Sequence, residues 1–201
     1  MLSPEKRLAL KQSMPRTMLS LHHTENCRLL PNRTELLNRL PHGGVAAEIG
    51  VAFGDYTREI MALNKPRQLH LIDAWDLSRY NEGYETVRSA FADEIAAERV
   101  KLHVGGSTDM LPSFADATFD WVYIDTDHSY QNTWNELVLC NAKVKPDGRI
   151  CGHDFCTGNV LKPVVYGVVQ AVNRFCVEFD WQFEFMTVEP DAHFSYCLKR
   201  L

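Results

Sequence analysis

From Val45 onward, short apolar runs alternate with stretches whose apolar residues recur at helical spacing. The runs predict strands at Val45 to Ile49, Gln68 to Asp73, Val100 to Val104, Phe119 to Ile124 and Arg149 to Gly152. Between them, Tyr84, Val87, Phe91 and Ile95 fall on one face of a helix, as do Tyr130, Trp134, Leu137 and Val138. A helical stretch also spans Tyr56 to Leu63. A further helix is expected after Pro163, carrying Val165, Val168, Val169, Val172 and Phe175. The tail changes period: Trp181, Phe183 and Phe185 alternate, Pro190-Asp191 interrupts, and Phe194, Tyr196 and Leu198 alternate again, which predicts a terminal hairpin. Five strand–helix units closed by a hairpin fit an α/β, doubly wound, mostly parallel sheet of seven strands with helices on both faces, whose ligand lies beyond the carboxyl ends of the strands.

The first forty-odd residues are mixed and polar. One helix is expected there, from its N-cap Asn32 through Leu36, Leu37 and Leu40 to the breaker Pro41-His-Gly-Gly44. The division expected is an N-terminal helical appendage, residues 1–42, that caps a substrate, followed by a ligand-binding domain, residues 43–201.

Composition narrows the class. The 201 residues are 45% hydrophobic and 23% charged with a formal net charge of −5, so there is core material for one domain but no cationic excess to neutralise phosphates. No nucleic-acid partner is expected. The six cysteines stand singly, without metal-site pairing, which suits reduced thiols in a cytoplasm. Neither a signal-peptide pattern nor an apolar span is present, so no membrane partner is expected.

The loop Glu48-Ile-Gly50-Val-Ala-Phe-Gly54-Asp55 joins a strand to a helix, and its glycines let backbone approach a ligand closely. The spacing is GxxxG, with Ala52 where a dinucleotide site would place its second glycine. Asp73, at the end of the next strand, is placed to accept hydrogen bonds from ribose hydroxyls or to cap the turn that follows. This stretch, with Leu69-His-Leu-Ile-Asp-Ala-Trp75, resembles class I S-adenosylmethionine-dependent methyltransferases, whose fold is Rossmann-like. The resemblance implies that Glu48, Gly50 and Gly54 line the methionine end of the cofactor and Asp73 its ribose. It also implies that Gly105-Gly-Ser-Thr-Asp109 meets the adenine with Ser107 as hydrogen-bond donor, that Asp125 borders the cofactor, and that Trp75 packs nearby.

Two clusters follow the fourth and fifth predicted strands: Tyr123-Ile-Asp125-Thr-Asp127-His128-Ser-Tyr130 and Cys151-Gly-His153-Asp154-Phe155. The fold brings them together. Asp125 and Asp154, joined by His153, could hold a divalent metal such as Mg²⁺ that lowers a hydroxyl's pKa. Alternatively, His128 or His153 removes the hydroxyl proton as general base with Asp125 beside it. Asp127 or His153 could instead serve only to cap a helix or bind loop backbone. The combined pattern resembles a bacterial branch of the family that includes metal-assisted sugar and natural-product O-methyltransferases. Its members carry two adjacent acids where this chain has His153-Asp154.

The function expected is therefore O-methylation of a small-molecule acceptor, with a nicotinamide-dependent oxidoreductase or a metal-dependent oxygenase as alternatives on the same fold. The acceptor pocket is expected from the N-terminal appendage and the loops Trp75 to Gly83 and Cys156 to Lys162. Arg16, His22, His23 and Arg28 are candidates to meet an acidic acceptor. The apolar terminal hairpin could pair with a second copy in a homodimer.

Overall fold

The computed structural model describes residues 2–76, 80, 82–161 and 163–201. Within the two expected acceptor loops, Leu77, Ser78, Arg79, Asn81 and Lys162 lie outside the described residues. In chain order the elements are α1 (Pro4–Ser13), β1 (Arg28–Leu30), α2 (Arg33–Leu37), β2 (Val45–Ile49), α3 (Asp55–Glu59), β3 (Gln68–Asp73), α4 (Gly83–Ala90), α5 (Ala92–Ala96), β4 (Val100–Val104), α6 (Ser107–Met110), β5 (Phe119–Ile124), α7 (Tyr130–Lys143), β6 (Val144–Gly152), β7 (Gly158–Asn159), β8 (Val164–Val165), α8 (Val168–Phe179), β9 (Trp181–Thr187) and β10 (Tyr196–Arg200).

The main sheet runs β1, β9, β10, β6, β5, β2, β3, β4, with β10 antiparallel to both neighbours and every other pair parallel. It has eight strands rather than the expected seven. The addition is β1, which pairs with β9 from Arg28↔Phe185 to Leu30↔Thr187. Three residues are too few to show a period, so only pairing reveals it. Strand order reverses between β2 and β5, where a crevice opens in sheets of this kind.

Both faces of the sheet are covered, and the central strands are apolar on both sides accordingly. Along β5, Val122 and Ile124 pack with Leu137 of α7 and Val172 and Phe175 of α8. Trp121 and Tyr123 face the other way, into a cluster with Leu36 and Leu37 of α2 and Val87 of α4. Only the first arm of the terminal hairpin alternates as expected: in β9 Trp181, Phe183 and Phe185 are buried and the residues between them only partly so. In β10 Tyr196, Cys197 and Leu198 are all buried, because β10 lies inside the sheet between β9 and β6.

Three elements differ from expectation. The last helix begins at Val168, not after Pro163, because Val164 and Val165 pair with Gly158 and Asn159 as the short antiparallel hairpin β7–β8. The helix carrying Val87 and Ile95 breaks at Phe91, whose backbone (φ −117°, ψ 27°) leaves the helical region. The fifth strand begins five residues early, at Val144, with a register shift against β5 before Arg149. The helix after the glycine loop ends in a π-helical turn, Ile60–Asn64. Asn64 donates there to the carbonyls of Leu37, Leu40 and Pro41, which ties the N-terminal segment to the sheet. Among the described residues, no helix is long and apolar enough to cross a membrane.

Candidate functional site

The switch point between β2 and β5 opens into a cavity of about 470 Å³, within the range typical of small-molecule sites. Its floor is the loop after β2, where Gly50 (φ +89°), Ala52 (φ +52°) and Gly54 (φ +78°) all adopt left-handed backbone. Glycine is required at position 50 for a second reason. A Cβ there would lie 2.6 Å from the carbonyl carbon of Asp125, so the loop and the end of β5 touch backbone to backbone.

Asp73 holds this loop in shape. Its Oδ2 accepts from the N–H groups of Val51 (2.7 Å) and Ala52 (2.9 Å), and its Oδ1 accepts from Trp75 N–H (2.8 Å). The Trp75 indole closes the ring by donating to the Ala52 carbonyl at 2.8 Å. Asp73 also lines the cavity, so capping and ligand contact are both open to one carboxylate with several acceptor positions.

The residues assigned to the cofactor divide. Gly50, Asp73, Ser107 and Asp125 line the cavity, whereas Glu48 and Gly54 are absent from its wall. Glu48 is 2% exposed and accepts from the Thr57 hydroxyl at 2.6 Å. Burial pushes its carboxyl up to about 8, against the Thr57 bond, with Asp125 adding to the rise. Gly54 starts α3 in left-handed backbone. Both residues shape the loop from behind.

Beside this loop, the clusters after β5 and β6 converge. Asp125 N–H donates to the Ile49 carbonyl at 2.7 Å, and one Asp125 oxygen sits 3.9 Å from the Arg33 guanidinium, which itself stacks over Tyr56. Protein walls Asp125 in on most sides, and this desolvation, with Asp154 nearby, pushes its carboxyl up to about 7. His128 lines the cavity from left-handed backbone (φ +60°), with Nε2 3.1 Å from an oxygen of buried Asp154 and its ring 4.7 Å from that of Tyr166. The second Asp154 oxygen pairs with His193 Nδ1, from the loop between β9 and β10.

His153 behaves differently from its neighbour. Its Nδ1 lies 3.0 Å from the hydroxyl of Ser195, which also bonds Tyr123, and burial pushes the ring down to about 4, so it is neutral. Among the described residues, the ligand-type atoms that lie within 4.8 Å of one another come from Asp125, His128 and Asp154, and from Asp154, Cys156 and His193. His153 belongs to neither group. Asp127 lines the cavity and accepts from Ser129 N–H at 2.9 Å, a bond to loop backbone; the N-cap of α7 is Ser129 itself, whose Oγ accepts from Asn132 N–H.

Arg16, His22, His23 and Arg28 are not part of the cavity wall. Buried His23 binds the Ser20 backbone, His22 lies against it, and Arg28 stacks over Phe185.

Sequence reasoning missed Glu136. It is fully buried on α7, with Ser107 donating to it at 2.5 Å, Thr126 at 3.0 Å and Asn132 at 3.0 Å. Burial raises it to about 7, with those bonds opposing the rise. A signal existed: Thr133, Glu136, Leu137 and Cys140 are the buried stripe of α7, so an acid stands at an apolar position of the helical period. Tyr166 was missed because it follows a hairpin too short to show a period.

No protein with a curated description matches the sequence. The fold is shared with the pyocyanin biosynthetic protein PhzM (16% identity, TM-score 0.61, covering 84% of this chain and 54% of that one). It is shared also with cofactor-bound Rv0187 from MTB (20% identity, TM-score 0.61, covering 98% and 88%) and with SMU.1697c from Streptococcus mutans, classed as a methyltransferase and solved in complex with SAH (12% identity, TM-score 0.60, covering 84% and 96%). The chain thus spans about half the length of PhzM. Residues 47–155, more than half of the chain, match the family model described as Methyltransferase domain, and they run from β2 through the glycine loop to the Asp154 cluster. The chain therefore belongs to the methyltransferase-domain family.

Proposed function

We propose that this methyltransferase moves the methyl group of S-adenosylmethionine to a hydroxyl of a small molecule, with His128 as general base. The observation that carries this reading is the His128–Asp154 pair. An imidazole in the cavity wall is backed by a buried carboxylate, and the loop that Asp73 holds lines the same cavity. The donor set suits the cofactor. Asp125 and Asp73 offer acceptors for an ammonium and for ribose hydroxyls, Gly50 lines the cavity with bare backbone, and Ser107 lines it for the base.

When bound, the cofactor supplies an electrophilic methyl group on a sulfonium. The protein's part is to orient the acceptor and take its proton. Asp154 holds His128 through Nε2 and stabilises the imidazolium formed when the ring accepts the hydroxyl proton. Neutral His153, packed behind the site against Ser195, supports the β6 end of the cluster. The segment 1–42 contributes to the acceptor side: Arg33 reaches Asp125, and α1 packs on the β7–β8 hairpin whose Asn159, Val164 and Tyr166 line the cavity.

A second reading is favoured by the convergence of Asp125, His128 and Asp154 within 4.8 Å. Those residues, with His128 in place of His153, could hold a divalent ion of the Mn²⁺, Fe²⁺ or Zn²⁺ type as readily as Mg²⁺, supplying Lewis-acid activation of the hydroxyl. Turnover of a hydroxylated acceptor library with isotope-labelled methyl donor, with and without chelator, separates the readings. Chelator-insensitive transfer supports His128 as base, and chelator-abolished transfer restored by metal supports the second. Stabilisation by NAD(P) but not by S-adenosylhomocysteine would refute the cofactor assignment.

A further inference from the structure

The wall made by Ser107, Thr126 and Asn132 comes from three segments: the start of α6, the loop after β5 and the first turns of α7. Behind it, all three side chains converge on Glu136. Ser107 Oγ donates to Oε1 at 2.5 Å, Thr126 Oγ1 to Oε2 at 3.0 Å, and Asn132 Nδ2 to Oε1 at 3.0 Å, with Asn132 Nδ2 also 3.3 Å from Thr126 Oγ1. No arginine or lysine bonds this carboxylate among the described residues, so the three hydrogen bonds are what compensate its burial.

With Glu136 ionised, as it is above neutral pH, that arrangement fixes the direction of every hydrogen bond. An ionised carboxylate only accepts, so both hydroxyl hydrogens and the Asn132 amide hydrogens point back to Glu136 and Thr126. What the three side chains retain for a ligand is acceptor capacity: hydroxyl lone pairs on Ser107 and Thr126, and the amide oxygen of Asn132. The expectation from sequence that Ser107 serves as a donor is thereby reversed.

We propose that Glu136 is a positioning residue for nucleobase selection, turning Ser107, Thr126 and Asn132 into an acceptor-only wall that favours a base bearing an amino group over one bearing a carbonyl. This rests on the S-adenosylmethionine reading above. Of the groups on that cofactor, the ammonium calls for carboxylates and the ribose hydroxyls both donate and accept. The exocyclic amine of adenine is the neutral donor that fits such a wall. A carbonyl at the same position would meet lone pairs, and sites built on buried polar complementarity reject such mismatches strongly.

The test is calorimetric binding of S-adenosylhomocysteine and its hypoxanthine analogue, S-inosylhomocysteine, at pH 8.5 to the wild-type protein and to Glu136→Gln. Glutamine presents an NH2 to one hydroxyl, which turns that hydroxyl's hydrogen toward the cavity. Wild type should prefer the adenosyl ligand by about tenfold or more, the worth of one well-placed hydrogen bond. In the variant, the preference should fall to within about threefold as the inosyl ligand gains relative to the adenosyl one. Equal binding of both ligands by wild type would overturn the proposal. So would a variant that weakens both alike with the ratio intact, which is the outcome of a merely structural role. Failure of wild type to bind the adenosyl ligand at all would instead defeat the cofactor reading, and the proposal with it. If Glu136→Gln does not fold, Ser107→Ala and Thr126→Val carry the test: at least one should lower the ratio, and an unchanged ratio in both overturns the proposal.

Discussion

Replacing Gly50 by alanine should cost far more than replacing Gly43, although both glycines have left-handed backbone, at φ +89° and +69°. At Gly43 an added Cβ meets nothing within 4 Å, so the penalty is conformational, about 1–2 kcal/mol. At Gly50 the Cβ would sit 2.6 Å from the Asp125 carbonyl carbon and 3.2 Å from Thr126 N. Ordinary carbon–carbon contact is about 3.5 Å or more, so the loop and the end of β5 must part by roughly 1 Å. That movement strains the bonds that join them, Gly50 N–H to Ile72 O (2.9 Å) and Asp125 N–H to Ile49 O (2.7 Å). With each bond worth about 1 kcal/mol, G50A should lose roughly 3–5 kcal/mol, a large share of a typical domain's stability. Urea unfolding of both variants gives the comparison, and the thermal midpoint of G50A should fall by about 10 °C. Binding of S-adenosylhomocysteine by G50A should weaken as well, because the displaced segment is the cavity floor. A G50A midpoint within a degree or two of G43A, with ligand affinity unchanged, would refute the steric argument.

Substituting His128 by alanine should lower kcat by about 10²–10⁴-fold while leaving S-adenosylhomocysteine affinity within a factor of about two, and Asp154→Asn should follow it; unchanged turnover in H128A removes histidine as base. Asp73→Asn exchanges one acceptor oxygen for a donor facing N–H groups. It should weaken cofactor-product binding by about tenfold or more, read by calorimetry, and wild-type affinity would show that the carboxylate is dispensable. Stability should decline between pH 6.5 and 8. Glu48, Asp125 and Glu136 have carboxyls raised to about 8, 7 and 7, so the folded state binds more protons than the unfolded chain there and loses that advantage as pH rises. His153, depressed to about 4, works the other way, but only below its ordinary value of 6.5. Thermal midpoints across this range should slope downward in wild type and less steeply in Glu48→Gln; identical slopes would exclude Glu48 as a source.

The parallel core was legible because it repeats a pattern long enough to read. β2, β3, β4 and β5 have the bounds expected. For β2, β3 and β5 this is because strands covered on both faces carry mostly apolar runs, and for β4, at the sheet edge and only partly buried, because Val100, Leu102 and Val104 alternate with polar residues. The glycine loop and the two acidic clusters were legible for a related reason: chain order in this architecture dictates that residues just after consecutive strands share one edge of the sheet. By itself the sequence therefore determined the class of fold, the edge where chemistry gathers, and the presence there of Gly50, Asp73, Asp125 and His128.

Side-chain partnership was decided only by tertiary structure, because it depends on directions that one-dimensional spacing does not carry. His153 is Asp154's neighbour in sequence and His128 follows a different strand, yet His153 turns to Ser195 and it is His128, in the cavity wall, that pairs with Asp154. Glu48 carries the acid of the loop motif but is drawn behind it by Thr57. Short elements such as β1 and the β7–β8 hairpin exist because a neighbour satisfies their backbone, and no local period announces them. Glu136 is the sharpest case. Its place on a helix was readable, but only the packing of three segments around one buried carboxylate shows why an acid is tolerated there.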